Sequence, residues 1–320
     1  MGIKVVRYEK DNATKWGVLV DETIRVISQE FETLKELLKN REVVTQTAND
    51  DAAETVSLEE VELLSPVTRP AQIVCQGANY GDHRAESGLD AQKPGFNTIF
   101  IKFDRSITGP TGDVIKPDFV KLLDYEVELG LVFGKAITEE MEITPENIGE
   151  YVAGLVIAND VSARDIQMAQ GQWIKGKSYE TFMPMGPYLY LLDEEEVPKI
   201  LDLDIKLWVN DEIRQDSNTQ ALLFKPAESL TELSQLVTFQ VGDVLLTGTP
   251  GGVAMKLGGG IVSDVTDLSN PYEEKIEKFR ESQLVEGNGY LKDGDIIKAE
   301  IKSADGTIDL GTQVNKVVYK

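Results

Sequence analysis

Two glutamates one residue apart raise the first chemical question. In Leu122-Leu123-Asp124-Tyr125-Glu126-Val127-Glu128-Leu129-Gly130-Leu131-Val132-Phe133 the apolar and β-branched content, ended by Gly134-Lys135, predicts a strand. Strand side chains alternate, so Glu126 and Glu128 point to one face while Tyr125, Val127 and Leu129 point to the other. Carboxylates that close repel unless a cation or a proton lies between them. On its own such a pair more often marks the solvated outer face of an edge strand. Residues further on change that balance. The apolar run Tyr151 to Ala158 ends in Asn159-Asp160, and Val161 to Gln167 reads as a helix start, which leaves Asp160 where a strand finishes. With one histidine and one cysteine, a single chain cannot build a nitrogen- or thiolate-rich zinc site. Glu126, Glu128 and Asp160 would give an all-oxygen site suited to Mg2+ or Mn2+ and open to Ca2+.

A base and a cation stand elsewhere. Asp82 as N-cap opens a short helix that Gly88 ends, so His83 and Glu86, three apart, share a face and can hydrogen-bond. A lone histidine is more often structural or solvated, but this one has a carboxylate placed to orient it. Gly171 to Pro187 has too many glycines and prolines for a helix and too many large apolar residues for a disordered linker. An ordered loop lining something is expected there, with Lys177 either a surface charge or a pocket cation facing the carboxylates. After Val244-Leu245-Leu246, the small residues of Thr247-Gly248-Thr249-Pro250-Gly251-Gly252 allow close backbone approach and expose amides to an oxyanion. No Walker Gly-Lys-Ser/Thr follows them.

The elements that must position these groups are short strands. Lys4 to Tyr8, Trp16 to Val20 and Thr23 to Ile27 precede an amphipathic helix at Leu34 to Leu38, and Val43 to Glu60 reads as a loop or short helix. Ser65-Pro66-Val67-Thr68-Arg69-Pro70 forces extended backbone and marks a boundary between a small domain, 1–66, and a larger one, 67–320. Asp202 to Val209 and Glu212 to Asp216 predict a hairpin about Asn210-Asp211, and Asp295 to Ile301 and Gln313 to Tyr319 the last strands. Gly258 to Gly289 reads as a peripheral excursion holding one charged helix, Glu273 to Glu281. Many short strands and few helices predict an α+β protein.

Fifty-five acidic against thirty-two basic residues give a formal charge of -23, which disfavours nucleic acid and anionic membrane surfaces as partners. A small anionic substrate is still compatible, because a local cation can invert the field in a pocket. The N-terminus alternates like a strand, with no signal peptide or membrane span visible. Cys75, in Ile73-Val74-Cys75, reads as a buried inert thiol, and a chain with no partner for it is expected in a reducing cytoplasm.

Several of these motifs fall in a familiar order. Asn79-Tyr80 with His83 and Glu86, Asp124 to Leu129, Asn159 to Gln167, Lys175-Gly176-Lys177-Ser178 to Gly186-Pro187, and Thr247-Gly248-Thr249-Pro250 resemble the fumarylacetoacetate hydrolase (fumarylacetoacetase) family over about residues 70–255. The resemblance implies a mixed β-roll or β-sandwich core of the fumarylacetoacetase C-terminal type, a small N-terminal α+β domain and a homodimer. It implies a divalent metal on Glu126, Glu128 and Asp160, and a water-activating dyad of His83 and Glu86 on a mobile lid. Lys177 and Gln167 would lie near the substrate, with Tyr80, Gly248 and Thr249 binding it, the last two meeting a substrate carboxylate through hydroxyl and amides.

Two departures stand out. Ala78 occupies a position where many acylpyruvate-cleaving members carry a basic residue, and the Gly258 to Gly289 excursion is longer than in small members. The function this predicts is metal-dependent hydrolysis of a carbon-carbon bond in a β-diketo acid of acylpyruvate or fumarylpyruvate type, with His83 deprotonating the attacking water. The same site could decarboxylate or tautomerise oxaloacetate, or hydrate or isomerise a 2-oxo-4-enoate. A non-enzymatic acidic Ca2+-binding protein explains the carboxylates but not His83 three residues from Glu86.

Overall fold

Asp11 and Asn12 both take positive φ, 53° and 63°, and close an antiparallel hairpin between Ile3–Lys10 and Ala13–Val20 with the primed turn that suits strand twist. The computed structural model in which this is seen describes residues 2–258, 260–267, 269–285 and 288–320; Met1, ahead of the expected first strand, and Gly259, Leu268, Glu286 and Gly287, in the expected excursion, lie outside the described residues. Asn210 and Asp211 close a second hairpin the same way, between Leu203–Val209 and Glu212–Asn218, where the sequence places it.

The N-terminal strands join the sheet of the rest of the chain. Ile3–Lys10 also pairs with Leu189–Leu191, so one mixed sheet of eleven strands spans the chain. Its order is Thr55–Ser57, Thr23–Val26, Ala13–Val20, Ile3–Lys10, Leu189–Leu191, Val152–Asn159, Val127–Phe133, Val244–Leu246, Ile73–Gly77 and Thr98–Lys102, with Glu62–Leu64 beside Ile3–Lys10. A second sheet runs Glu212–Asn218, Leu203–Val209, Ile296–Ser303, Asp309–Tyr319 and Val114–Lys116. Most neighbours are antiparallel, but Val244–Leu246 runs parallel to Ile73–Gly77. The protein is α+β.

Alternation along the central strands builds two cores. Leu129, Leu131 and Phe133 pack in one core with Leu155 and Ile157 and with Leu203, Ile205, Leu207 and Ile301 of the second sheet. Val132, Val156, Ala158 and Leu246 point the other way, toward Leu34 and Leu37 of the helix Leu34–Lys39. That helix starts with a capping box made by Thr33 and Glu36. All seven residues of Val127–Phe133 are buried, so the strand carrying Glu128 is covered on both faces.

One open sequence expectation is settled here and two are corrected. Of the loop or short helix expected over Val43 to Glu60, the helix is found: Arg41–Ala48 starts just before it, and its only buried residue is Val44, which is why its periodicity is faint. Gly171 to Pro187 is not all loop: Trp173–Lys177 is a short helix. Gly176 sits inside it because a Cβ there would come within 2.6 Å of the Gln167 Cβ, so the glycine serves helix packing rather than chain breaking. Finally, the stretch after Gly258 is not peripheral. Its helix Tyr272–Gln283 buries Ile276 and Phe279, and Arg280 donates to Asp165 on the helix Arg164–Gln170 at 2.8 Å.

Candidate active site

The strand expected over 122–133 breaks in two, and the break builds the site. Leu123–Asp124 pairs with Ser162–Ala163, while Val127–Phe133 pairs with Val152–Asn159. Between them the Glu126 N–H donates to Asn159 Oδ1 at 3.0 Å, and the Glu126 carbonyl accepts from the Asp160 N–H at 2.8 Å. Glu126 is thereby fixed beside Asp160. Carboxylate oxygens of Glu126, Glu128 and Asp160 all lie within 4.8 Å of one another, and all three residues are buried.

Four carboxylates and three cations meet there. Arg164 donates through Nε to Asp124 at 2.8 Å, through Nη2 to Glu126 at 2.5 Å and through Nη1 to Gln167 Oε1 at 3.0 Å. Lys177 Nζ donates to Glu126 at 2.8 Å, to Asp160 at 2.5 Å and to Ser162 Oγ at 2.9 Å, so it is a pocket cation and not a surface charge. Lys102 Nζ reaches the other Asp160 oxygen at 2.5 Å and the Phe182 carbonyl at 2.7 Å. Glu128 differs: it accepts the Gly248 N–H at 2.8 Å and has no ion-pair partner among the described residues.

The charge states follow. Burial pushes the Glu126 carboxyl up, but Arg164 and Lys177 outweigh it and hold Glu126 well below the usual range. Burial also pushes Glu128 up, and the nearby charges of Asp160 and Glu126 add to it. Burial pushes Lys177 down, yet Asp160 and Glu126 leave it raised and charged. A buried carboxylate driven upward by two like charges needs an added cation to ionise, and oxygen donors suit a hard divalent ion. The residues present therefore fit a divalent metal.

Arg164 and Lys102 are absent from the sequence expectations. Arg164 could be found from its three-residue spacing to Gln167, which puts both on one helical face. Lys102 shares a strand face with Phe100, but nothing local tells that this face is the inner one.

The other expected residues divide. His83 and Lys177 line one cavity of about 160 Å³ with Glu126, Glu128, Gln167 and Thr249. Burial pushes the His83 imidazole down, toward the neutral form, and its Nδ1 has no hydrogen-bond partner among the described residues. Glu86 is not bonded to it. One Glu86 oxygen accepts the Gly252 N–H at 2.9 Å and the other pairs with Lys256 at 2.5 Å. Gly248 spends its amide on Glu128, and the Thr249 hydroxyl donates to the Val127 carbonyl at 3.0 Å. Tyr80 is fully buried, and its hydroxyl has no partner among the described residues; burial pushes its pKa up.

Comparison with known proteins draws these features together. Residues 72–318 match the family description "Fumarylacetoacetate (FAA) hydrolase C-terminal", and residues 3–66 match "Rv2993c-like, N-terminal". The mitochondrial oxaloacetate tautomerase of Rattus norvegicus is 37% identical over 290 residues, covering 89% of this chain and 80% of that one. A solved fumarylacetoacetate hydrolase from Exiguobacterium antarcticum is 30% identical with a TM-score of 0.75, over 99% of this chain and 100% of that chain. A solved 5-carboxymethyl-2-hydroxymuconate delta-isomerase from Mycobacterium smegmatis is 25% identical with a TM-score of 0.70, over the same shares. The cytoplasmic location expected from Cys75 does not stand against relatives named as mitochondrial, since a lone thiol reports only that no internal disulfide forms. Sharing the fold across its whole length and the matched domain over most of it, this chain belongs to the fumarylacetoacetate hydrolase family of enzymes.

Proposed function

We propose that this chain interconverts the keto and enol forms of a 2-oxo acid at a Mg2+ or Mn2+ ion held by Glu126, Glu128 and Asp160, with oxaloacetate as reference substrate. The observation that carries this reading is that His83 and Glu86 share no hydrogen bond. Hydrolysis by a dyad needs a carboxylate on the imidazole to orient it and to stabilise its charged form, whereas here Glu86 is committed to Gly252 and Lys256. A tautomerase needs only a neutral base that takes a proton from carbon and returns it to oxygen. Burial favours that form for His83, whose buried Nδ1 has no hydrogen-bond partner among the described residues.

The remaining roles follow from charge. A bound divalent ion supplies Lewis-acid polarisation of the 2-oxo group. Lys177 and Arg164 balance the carboxylates that hold the ion, and Gln167 fixes one arm of Arg164. The names of relatives as oxaloacetate tautomerases support the same reading over the hydrolysis expected from the motifs. The homodimer, and a domain boundary near Ser65 to Pro70, belong to this proposal; light scattering tests the first.

The test is direct. Enol-oxaloacetate is mixed with metal-loaded protein and ketonisation is followed by ultraviolet absorbance, in parallel with pyruvate release from an acylpyruvate. Fast ketonisation with little pyruvate release supports the proposal. Acylpyruvate cleavage faster than ketonisation overturns it in favour of the hydrolase.

A further inference from the structure

Residues 252–257 belong to no helix or strand, so no regular ladder fixes their backbone. They touch the site all the same. Met255 and Leu257 line the cavity, and the N–H groups of the four residues 254–257 each meet a partner from a different part of the chain. Ala254 and Met255 donate to the Asp124 carboxylate at 2.9 and 3.1 Å, and Asp124 in turn holds Arg164 Nε. Leu257 donates to the Glu86 carbonyl at 2.9 Å, at the end of the short helix that carries His83. Between them, the Lys256 N–H donates to Gln283 Oε1 at 3.2 Å.

Gln283 ends the helix Tyr272–Gln283, and among the described residues none of that helix lines the cavity. Its side chain is nonetheless fully committed. Gln283 is 1% exposed; Nε2 donates to the Lys256 carbonyl at 2.8 Å, and Oε1 also accepts the Tyr290 hydroxyl at 2.8 Å. An amide that takes both the N–H and the carbonyl of one residue pins that residue as a paired strand would. The helix has its own footing on the site. Arg280, three residues earlier and so on the same face, donates to Asp165 at 2.8 Å and to the Phe119 carbonyl at 3.0 Å, which ties the helix to Arg164–Gln170.

We propose that Gln283 is a positioning residue for His83. It fixes Lys256, and the backbone on either side of Lys256 holds the His83 helix through Leu257 and the Asp124 carboxylate behind Arg164 through Met255. A six-residue helix is too short to hold itself, so the contacts at its end decide where His83 stands. The spacing between the imidazole and the acidic triad is thus set from outside the cavity. Only the reaction used as activity readout rests on the proposed function.

His83 is the only histidine in the chain, so histidine labelled with 13C in the ring gives one imidazole signal to follow. Gln283→Met keeps a good helix former of similar length and removes both bonds to Lys256. In the chelated protein the imidazole signal should shift or broaden, and amide hydrogen exchange over residues 81–89 should quicken. Misplacing a reacting group by about 1 Å can cost about 10²-fold, so kcat for ketonisation by the metal-loaded variant should fall about tenfold or more. Mn2+ affinity should not change, because Lys102 and Lys177 still hold Asp160. Val44→Ala, in the core beside the helix Arg41–Ala48, controls for lost stability and should move neither the signal nor the exchange over 81–89. Tyr290→Phe removes one bond to Gln283 and keeps both to Lys256, so it should move the signal the same way by less; it decides the matter if Gln283→Met does not fold. A signal and exchange identical to the parent's overturn the inference whatever happens to turnover, and so does an equal response in Val44→Ala. If the parent does not ketonise oxaloacetate but the imidazole responds as described, the proposed function fails and the positioning role stands.

Discussion

The triad and the base are held in different ways. Glu126 and Asp160 lie beside strands buried on both faces and each meets two cations, with Glu128 between them on a fully buried strand. His83 rides on the six-residue helix Gly81–Glu86, which is tied down at its end by Glu86 to Gly252 and Lys256. The charge-bearing half is over-determined by the sheet, and the proton-moving half is placed by a short helix. A site so divided fits chemistry in which electrostatics does most of the work and one side chain moves one proton.

Within the triad the contrast sharpens again, and it gives the largest predicted effect. Glu128→Gln and Asp160→Ala should each abolish Mn2+ binding, read by electron paramagnetic resonance, and bring ketonisation to background. Their stabilities should part. Removing Asp160 leaves Lys102 and Lys177 buried without that partner, and breaking a buried pair costs about 3–5 kcal/mol in urea unfolding. Glu128 has no such partner among the described residues, so its amide variant should unfold no earlier than the parent. Equal destabilisation of the two variants would erase the distinction.

Next in size is the base. His83→Ala should lower ketonisation by about 10²- to 10⁴-fold, the usual worth of a positioned base, with Mn2+ affinity unchanged. Loss of metal binding along with activity would place His83 with the triad instead of apart from it.

Sequence made the triad legible because its cues are local: a period of two brings Glu126 and Glu128 together, and a strand end carries Asp160. The hairpin about Asn210 was legible for the same reason. What balances the triad was not. Lys102 reaches Asp160 across 58 residues and Arg164 reaches Glu126 across 38, and no periodicity encodes such a meeting. The break before Val127 depends on the Asn159 side chain taking the Glu126 N–H, which an apolar pattern cannot show. Gly176 reads as a helix breaker until Gln167 is seen against it.

A smaller effect probes Glu86. In Glu86→Gln the amide oxygen still accepts the Gly252 N–H, and only a partly exposed ion pair with Lys256 is lost, worth about 1 kcal/mol or less. Ketonisation should fall by less than roughly fivefold, the factor that about 1 kcal/mol spans. A loss as large as that of His83→Ala would mean that the two residues act as one unit after all.

The smallest effect is a pH dependence of stability, measured on the chelated protein. Burial lowers the His83 pKa from its ordinary value of 6.5, so the folded chain binds this proton less readily than the unfolded one. Stability from the neutral imidazole is then fully present above the unfolded value and is lost as pH falls through 6.5 toward the lowered folded value. Glu128 works in the opposite sense: its pKa is raised, so it costs stability as pH rises above the ordinary 4.5. The two trends overlap in the parent protein, and its melting curve alone separates neither. His83→Gln keeps Glu128 and removes only the imidazole, so the difference in Tm between parent and variant isolates the histidine. That difference should shift against the parent on going from about pH 7.5 to about pH 5.5, a window that spans the ordinary imidazole value. A difference that stays flat would show that His83 titrates as a solvated histidine, and the neutral base would lose its physical ground.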